Sequence, residues 1–489
     1  MKRNDLIYCL AVFVASRALY AALGLQFDAS TFPGYFQFLD PVLLSNRLLE
    51  SLWYYHANPP LMNLFVGLSQ QWFGGGAVLF SALCLHLLGL VLAIAVMVLA
   101  LRLAGSRLAA RIAVTLLVFS PAFVLYENWL MYSFPTAALV TISAWVLLRF
   151  YDTGRPAWAS LFFSLLAVIT LTRSLFHLAW MALAVALLMV FAPAQRRTLV
   201  RAAAVPLLVV VLWYGKNAWL FGNFGASSWM GLGMSNIATL VVPRDQLEPL
   251  VQSGELTPFA LISRYQQIPE LFAHPPAAPS GIEALDQILK SSGQYNFNNV
   301  QMLEINRAYT HDAFVVIKHF PGAYLTGLSI SNRLFFSPTS MNLYFTPDNR
   351  AAVLPMERIF NPLLYGARSM PGSVEQPHYG FNGTYMLEVN ASIALMLLWA
   401  ALGVYGLVRL RNGLRSNSAT SRAESLVIGY IVYCTLYVWI MGTAFDLAEN
   451  FRYRFLVEPL MLVLTVAAFT DLGRAARRAR AADGGLNAS

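Results

Sequence analysis

A few polar side chains in this very apolar chain have types and positions suited to group transfer. Asp28 and Asp40 lie in "FDASTFPGYFQFLDPVLLSNRLLESLWYYHANPPLMNLF", residues 27–65, between two apolar runs. A carboxylate with a pKa of about 3.9 is ionised at neutral pH and can take a proton from an attacking hydroxyl. Asp28, directly after the first apolar run, is the first candidate for such a base; as a loop-end residue it also suits capping. Asp40 is the second, although Asp-Pro before a leucine-patterned stretch is equally a helix start. Glu127, in "SPAFVLYENWLMYSFP", is a third acidic candidate; ionisable residues at a bilayer boundary are candidates for function by default. His56 opens "HANPPLMNLF" and is a candidate substrate contact, while the Pro-Pro corner beside it reads as a rigid turn.

Cations accompany these acids. Arg173 breaks two apolar runs in "TLTRSLFHL", and Lys216 precedes a Gly/Asn-rich stretch in "WYGKNAWLFGNFGASSWMGLG". "FDLAENFRYRFLVEPL" brings Asp446, Glu449, Arg452 and Arg454 around one short turn. These charges can pair among themselves, or their cations can hold a phosphate, for which a guanidinium's planar fork is well matched. A single Asp and a single Glu do not make a metal site, so no cofactor is assigned and a divalent metal stays open. No phosphate-binding glycine loop or dinucleotide fingerprint is present.

The elements that must position these residues are helices in a bilayer. The 489 residues are 58% hydrophobic and 12% charged, with a mean hydropathy of +0.57. That leaves too few charges to cover a soluble protein of this size. Apolar runs near 5–26, 78–103, 108–126, 129–149, 157–173, 176–193, 200–216, 387–408, 425–445 and 453–472 predict about ten spans. The net charge of +9 comes from short Lys/Arg clusters beside every second span end. That distribution is a topology signal and excludes a nucleic-acid partner. Both termini are therefore expected in the cytoplasm, with the N-terminal run an uncleaved signal-anchor. The three cysteines fall in apolar runs and read as buried small hydrophobes.

The same topology sends residues 27–77, Glu127, Arg173, 217–386 and 446–452 to the exterior face. The predicted organisation is a transmembrane module over 1–216 with a first exterior loop at 27–77. An insertion at 217–386, small and α or α/β, follows; then come transmembrane helices over 387–475 and a tail at 476–489. Two stretches are expected to lie flat on the membrane surface, Pro41–Trp53 and 312–336.

As an ordered set these features resemble the integral-membrane, C-type glycosyltransferases that use polyprenyl-phosphate sugars. That group includes protein O-mannosyltransferases, aminoarabinose transferases of lipid A and arabinofuranosyltransferases. The resemblance rests on the acid after span one, "HANPPL", the Tyr-Glu turn at 126–127, "TR" at 172–173, "KNAWLFGNFG" at 216–225 and "ENFRYRF" at 449–455. It covers most of residues 1–230 and returns at 445–470. Protein mannosyltransferases usually carry a second acid after the first, where Ala29 stands here. The resemblance implies an all-α polytopic membrane protein, a monomer in a bacterial inner membrane with its active site on the exterior face. It implies transfer of a sugar from a polyprenyl-phosphate donor to a hydroxyl of a glycan, lipid or protein, with inversion and with Asp28 as base. Glu127 would be the second acid, and Arg173, Lys216 and Arg454 phosphate contacts, beside Glu449 and Arg452. A transporter or flippase of lipid-linked glycans and an O-antigen ligase or polymerase are the alternatives.

Overall fold

The computed structural model describes residues 1–264, 268–273, 278–342, 344–365, 391–447 and 449–486, with side chains as far as 480. Residues 366–386 of the insertion and the first residues of the 387–408 run lie outside them. The described chain is helical throughout, with isolated β-bridges as its only strand-like pairing.

The apolar runs become helices in the expected order: α1 (Arg3–Ala22), α2 (Pro41–Asn46), α3 (Leu48–Trp53), α4 (Leu61–Phe73), α5 (Ala77–Ala104), α6 (Arg107–Val118), α7 (Pro121–Glu127), α8 (Ser133–Thr153), α9 (Pro156–Thr170), α10 (Leu178–Phe191) and α11 (Arg196–Phe221). The insertion holds α12 (Met230–Ile237), α13 (Arg244–Gln252), the single turns α14 (Ile268–Leu271) and α15 (Glu283–Asp286), then α16 (Gln301–His319), α17 (Pro321–Phe335) and α18 (Pro347–Tyr365). α19 (Ile393–Leu414), α20 (Ala419–Ala444), the short α21 (Asn450–Phe455) and α22 (Glu458–Leu486) close the chain. Among the described residues 7 helical stretches are long and apolar enough to cross a bilayer, and up to 9 if each bent pair counts as one. This is a multi-pass membrane protein.

Several expectations change in detail. The run 108–126 is bent by 56° between α6 and α7, where Ser120-Pro121 removes a backbone donor and restarts the helix. α9 and α10 have 15 and 14 residues, shorter than the roughly 20 a straight span needs. Residues 61–73, expected in the first loop, form α4, which runs through Gly74–Gly76 into α5. The flat helix expected at 312–336 is two helices, α16 and α17, turned by 110° at Phe320-Pro321. Pro41–Trp53 is likewise broken at Arg47. Its Leu43, Leu44, Leu48 and Leu52 are buried, and Leu48 lies against Gly67 of α4, so this leucine face packs on protein.

The first loop and the insertion are stitched together. Lys290 Nζ donates to the Tyr35 carbonyl at 2.7 Å, Ser292 Oγ to that of Pro33 at 2.8 Å, and Arg47 pairs with Glu283 at 3.1 Å. At the bundle's opposite end, Arg102 bridges Asp152 and Glu424, and Arg409 pairs with Asp471.

α12 approaches α16 through Gly231, where a Cβ would sit 2.1 Å from the Asn306 carbonyl oxygen. Gly231→Ala should therefore destabilise the insertion by about 1–3 kcal/mol, as overpacking does. Faster limited proteolysis within 230–320 would report it. Gly322→Ala, with open space around its Cβ, is the control and should leave the digestion rate unchanged.

Candidate functional site

Two buried arginines from distant parts of the chain meet at the start of α8. Arg173 stands between α9 and α10, in the turn where an apolar run ends. Its side chain is buried, and its Nε and Nη1 have no hydrogen-bond partner among the described residues. Aromatic rings surround it instead: Tyr132 at 4.7 Å and Tyr453 at 4.9 Å from its Cζ. Arg452, on α21, has Tyr132 and Trp129 each at 5.0 Å. Its Nε donates to Ser133 Oγ at 2.7 Å and its Nη1 to Tyr35 Oη at 3.3 Å, while Glu449 pairs with Nη1 at 2.6 Å. Arg452 Nη2 and Glu449 Oε1 remain buried without partners.

Ring stacking holds a guanidinium by its π face and leaves its N–H edge unused. Two such cations beside one carboxylate carry a surplus positive charge, placed at the N-terminal end of α8 where a helix dipole already favours an anion. The arrangement can bind an oxyanion such as a phosphate.

Asp28 joins this assembly through the backbone. Its N–H donates to the Asn128 carbonyl at 2.7 Å, and its carbonyl accepts from Leu130 N–H at 2.9 Å, a parallel bridge to Trp129. Asp28 Oδ1 accepts from Ser30 N at 2.8 Å and Ser30 Oγ at 2.6 Å. Its Oδ2 is buried and unpartnered. Asp28 thus closes a turn with one oxygen, and the other is left without a partner. Trp129, bridged to Asp28, is the ring that touches Arg452.

The remaining candidates are engaged elsewhere. Asp40 caps α2, with Oδ1 accepting from Val42 N at 2.7 Å and Ser291 Oγ at 2.9 Å and Oδ2 from Ser291 N. Glu127, expected at an exterior turn, is fully buried and ion-paired with Arg17 of α1. His86 Nδ1 lies 3.3 Å from its other oxygen without hydrogen-bond alignment, and Gly89 leaves the space. Lys216 Nζ donates to the carbonyls of Trp53 and Tyr55 at 2.9 and 3.2 Å, fastening the first loop to α11. Arg454 is paired with Glu458 at 2.9 Å and donates to the carbonyls of Phe335 and Ser337. It is not the unpaired guanidinium that its place in the sequence suggested.

His56 is wholly buried: its Nε2–H donates to the Asn298 carbonyl at 3.0 Å, while Nδ1 accepts from Ser228 Oγ at 2.9 Å. It clamps the first loop to the insertion and faces no substrate space. Tyr132, Tyr453, Trp129, Tyr35 and Ser133 are the residues that sequence reasoning passed over. The usable signal was the clustering of aromatics around the charged turns, "ENWLMYS" and "FRYRF". Among the described residues no three His, Cys, Asp or Glu side chains gather in a metal-binding group.

No protein-family model matches the chain, and neither does any curated protein sequence. Solved structures do. The apo oligosaccharyltransferase of Archaeoglobus fulgidus is similar with a TM-score of 0.40 at 16% identity, over 98% of this chain and 52% of that one. The same enzyme tethered with an acceptor peptide containing the NVT sequon gives 0.40 at 14%, over 98% and 51%. ArnT from Cupriavidus metallidurans bound to undecaprenyl phosphate gives 0.37 at 14%, over 92% and 77%. The chain spans about half the length of the oligosaccharyltransferase it matches.

Burial pushes the His56 imidazole down to about 3, against about 6.5 in an unfolded chain. Between those values the unfolded state binds a proton that the folded state refuses, so stability is full above about pH 6.5 and falls as pH drops. His56→Gln should flatten the decline in thermal unfolding midpoint between about pH 7 and 4.5. Equal slopes for variant and wild type would refute a buried neutral clamp.

Proposed function

We propose that this protein transfers a sugar from a polyprenyl-phosphate donor to an acceptor hydroxyl at the exterior face of a bacterial inner membrane. The observation that carries this reading is Arg173, a buried guanidinium with aromatic neighbours and, among the described residues, two unpartnered nitrogens and no carboxylate in hydrogen-bond contact. Burying a cation without a counter-ion costs several kcal/mol. A membrane-tethered phosphate supplies the missing charge, and its isoprenoid tail explains why the site belongs in a bilayer protein.

In the reaction, the acceptor oxygen attacks the anomeric carbon as Asp28 Oδ2 takes its proton. The C–O bond to the phosphate breaks, and its electron pair stays on the leaving phosphate oxygen. Arg173 and Arg452 receive that growing negative charge, the usual largest source of stabilisation in such a step. A single displacement inverts the anomeric carbon. Arg173 Nε and Nη1 and Arg452 Nη2 are the unpartnered donors that the leaving phosphate needs. Asp40, His56, Lys216 and Arg454 then act by holding the loop, the insertion and α21 in place.

The test is purified protein in lipid nanodiscs with radiolabelled polyprenyl-phosphate pentoses and hexoses. Asp28→Asn should cut transfer by about 100-fold or more, the range for a lost general base, with donor binding unchanged. Near-normal turnover by Asp28→Asn would remove Asp28 as base. Arg173→Ala should raise the donor KM about tenfold or more, as loss of a charge-assisted phosphate contact does. An unaltered KM would remove the phosphate assignment.

A further inference from the structure

The two arginines share one ring. Tracing neighbours through the site gives Tyr453, Arg173, Tyr132, Arg452 and Trp129, each cation within 5.0 Å of two aromatic rings. The outer members have independent anchors. Tyr453 Oη donates to Asp446 Oδ2 at 2.7 Å, and Trp129 Nε1 to Thr31 Oγ1 at 3.0 Å. Arg452 is held further by Ser133, Tyr35 and Glu449. Arg173 has no side-chain hydrogen bond to any described residue, so the rings of Tyr132 and Tyr453 are what locate it.

Tyr132 is fixed in turn by α8. It immediately precedes the helix, and its carbonyl accepts from Thr136 N at 3.0 Å and Thr136 Oγ1 at 2.6 Å. The first turn of a long helix therefore fixes the backbone that carries the ring, and the ring lies against both guanidiniums. Their Cζ atoms can be no farther apart than the two ring contacts laid end to end. A carboxylate at position 132 would hold the cations more strongly, but it would consume the N–H donors. An aromatic ring attracts both cations and consumes none.

We propose that Tyr132 is the positioning residue of this site: its ring spaces Arg173 and Arg452 for a single lipid-linked phosphate, acting through the two arginines. This rests on the phosphate reading above and adds the element that makes two like charges one binding seat. The residue is of a type that hydropathy treats as bilayer-boundary filler.

The experiment measures binding of undecaprenyl phosphate and of undecaprenol to nanodisc-embedded protein. Wild type should prefer the phosphate; equal binding of the two would overturn the phosphate reading itself. Given that preference, Tyr132→Leu should reduce it about tenfold or more, since two desolvated cation–π contacts are lost, and Tyr132→Phe should keep it within about threefold. Tyr132→Leu should cost less in an Arg173→Ala background than in wild type, because the ring then has one cation left to place. A purely structural role gives equal costs in both backgrounds. Should the leucine variant fail to fold, phenylalanines of increasing fluorination at 132 keep the shape and weaken the ring quadrupole. Phosphate affinity should then fall with each added fluorine. A flat series, or leucine equal to phenylalanine, overturns the role of Tyr132 while leaving the phosphate reading standing.

Discussion

A guanidinium taken out of water must have its charge answered, and that requirement organises the insertion end of this molecule. The chain answers it in different ways. Arg17 and Arg454 have the carboxylates of Glu127 and Glu458, and Arg264 has that of Asp446. Arg173 has aromatic rings and, among the described residues, no carboxylate within salt-bridge reach. The carboxylate solution closes a site, because it occupies the N–H groups that would recognise anything else. The aromatic solution leaves them open. The segment before α8, the turn after α9 and α21 converge here because they supply the layers of one stack, which the first loop anchors through Tyr35 and Thr31.

The polar residues around this stack do a different job. His56, Asp40, Lys290 and Lys216 look catalytic in a greasy sequence, yet each is buried against backbone carbonyls, backbone amides or hydroxyls. Buried polar groups with satisfied partners specify one arrangement of loops, since any other arrangement leaves them unsatisfied. Burial lowers the Lys290 ammonium to about 8, with Asp40 opposing the shift, which fits a donor serving a carbonyl inside the loop–insertion contact. These clamps hold the loop that carries Asp28 against the insertion and α11, while the Asp28 backbone bridge and the Trp129–Thr31 bond join it to the segment that carries Trp129. Rigidity of the roof is what gives the unpartnered Asp28 oxygen a definite place.

Hydropathy made the helices legible, and the Lys/Arg clusters correctly marked one end of the bundle. Pro121 and Pro321 were visible too, but a composition window averages over a bend, so 108–126 read as one straight span and 312–336 as one flat helix. Arg173 stood out because it breaks two apolar runs, and Arg452 because it sits in a short charged turn. The choice between Arg452 and Arg454 was not legible. Residues two apart on a helix point to different faces, and here Arg452 turns to Trp129 and Tyr132 while Arg454 turns to Glu458 and the 335–337 carbonyls. The aromatic layers were hidden for another reason. Aromatic residues make up 13% of the chain, so nothing local separates a ring that faces lipid from one that stacks on an arginine brought in from over 300 residues away.

The placement of Asp28 also bears on why it is not itself an answer to Arg452. A direct ion pair would occupy the carboxylate oxygen that the proposed reaction needs as proton acceptor and the Nη2 donor that Glu449 leaves to Arg452. Asp28 instead forms its backbone bridge to Trp129, and Trp129 places its ring beside Arg452. One aromatic side chain thus stands in the chain of contacts between base and cation. In an inverting displacement the base and the leaving group lie on opposite sides of the sugar, so a site that kept them in contact would have no room for the ring between them. The indirect link through Trp129 keeps Asp28 and Arg452 in one rigid frame without direct contact, so that Glu449 alone is the carboxylate on Arg452 among the described residues.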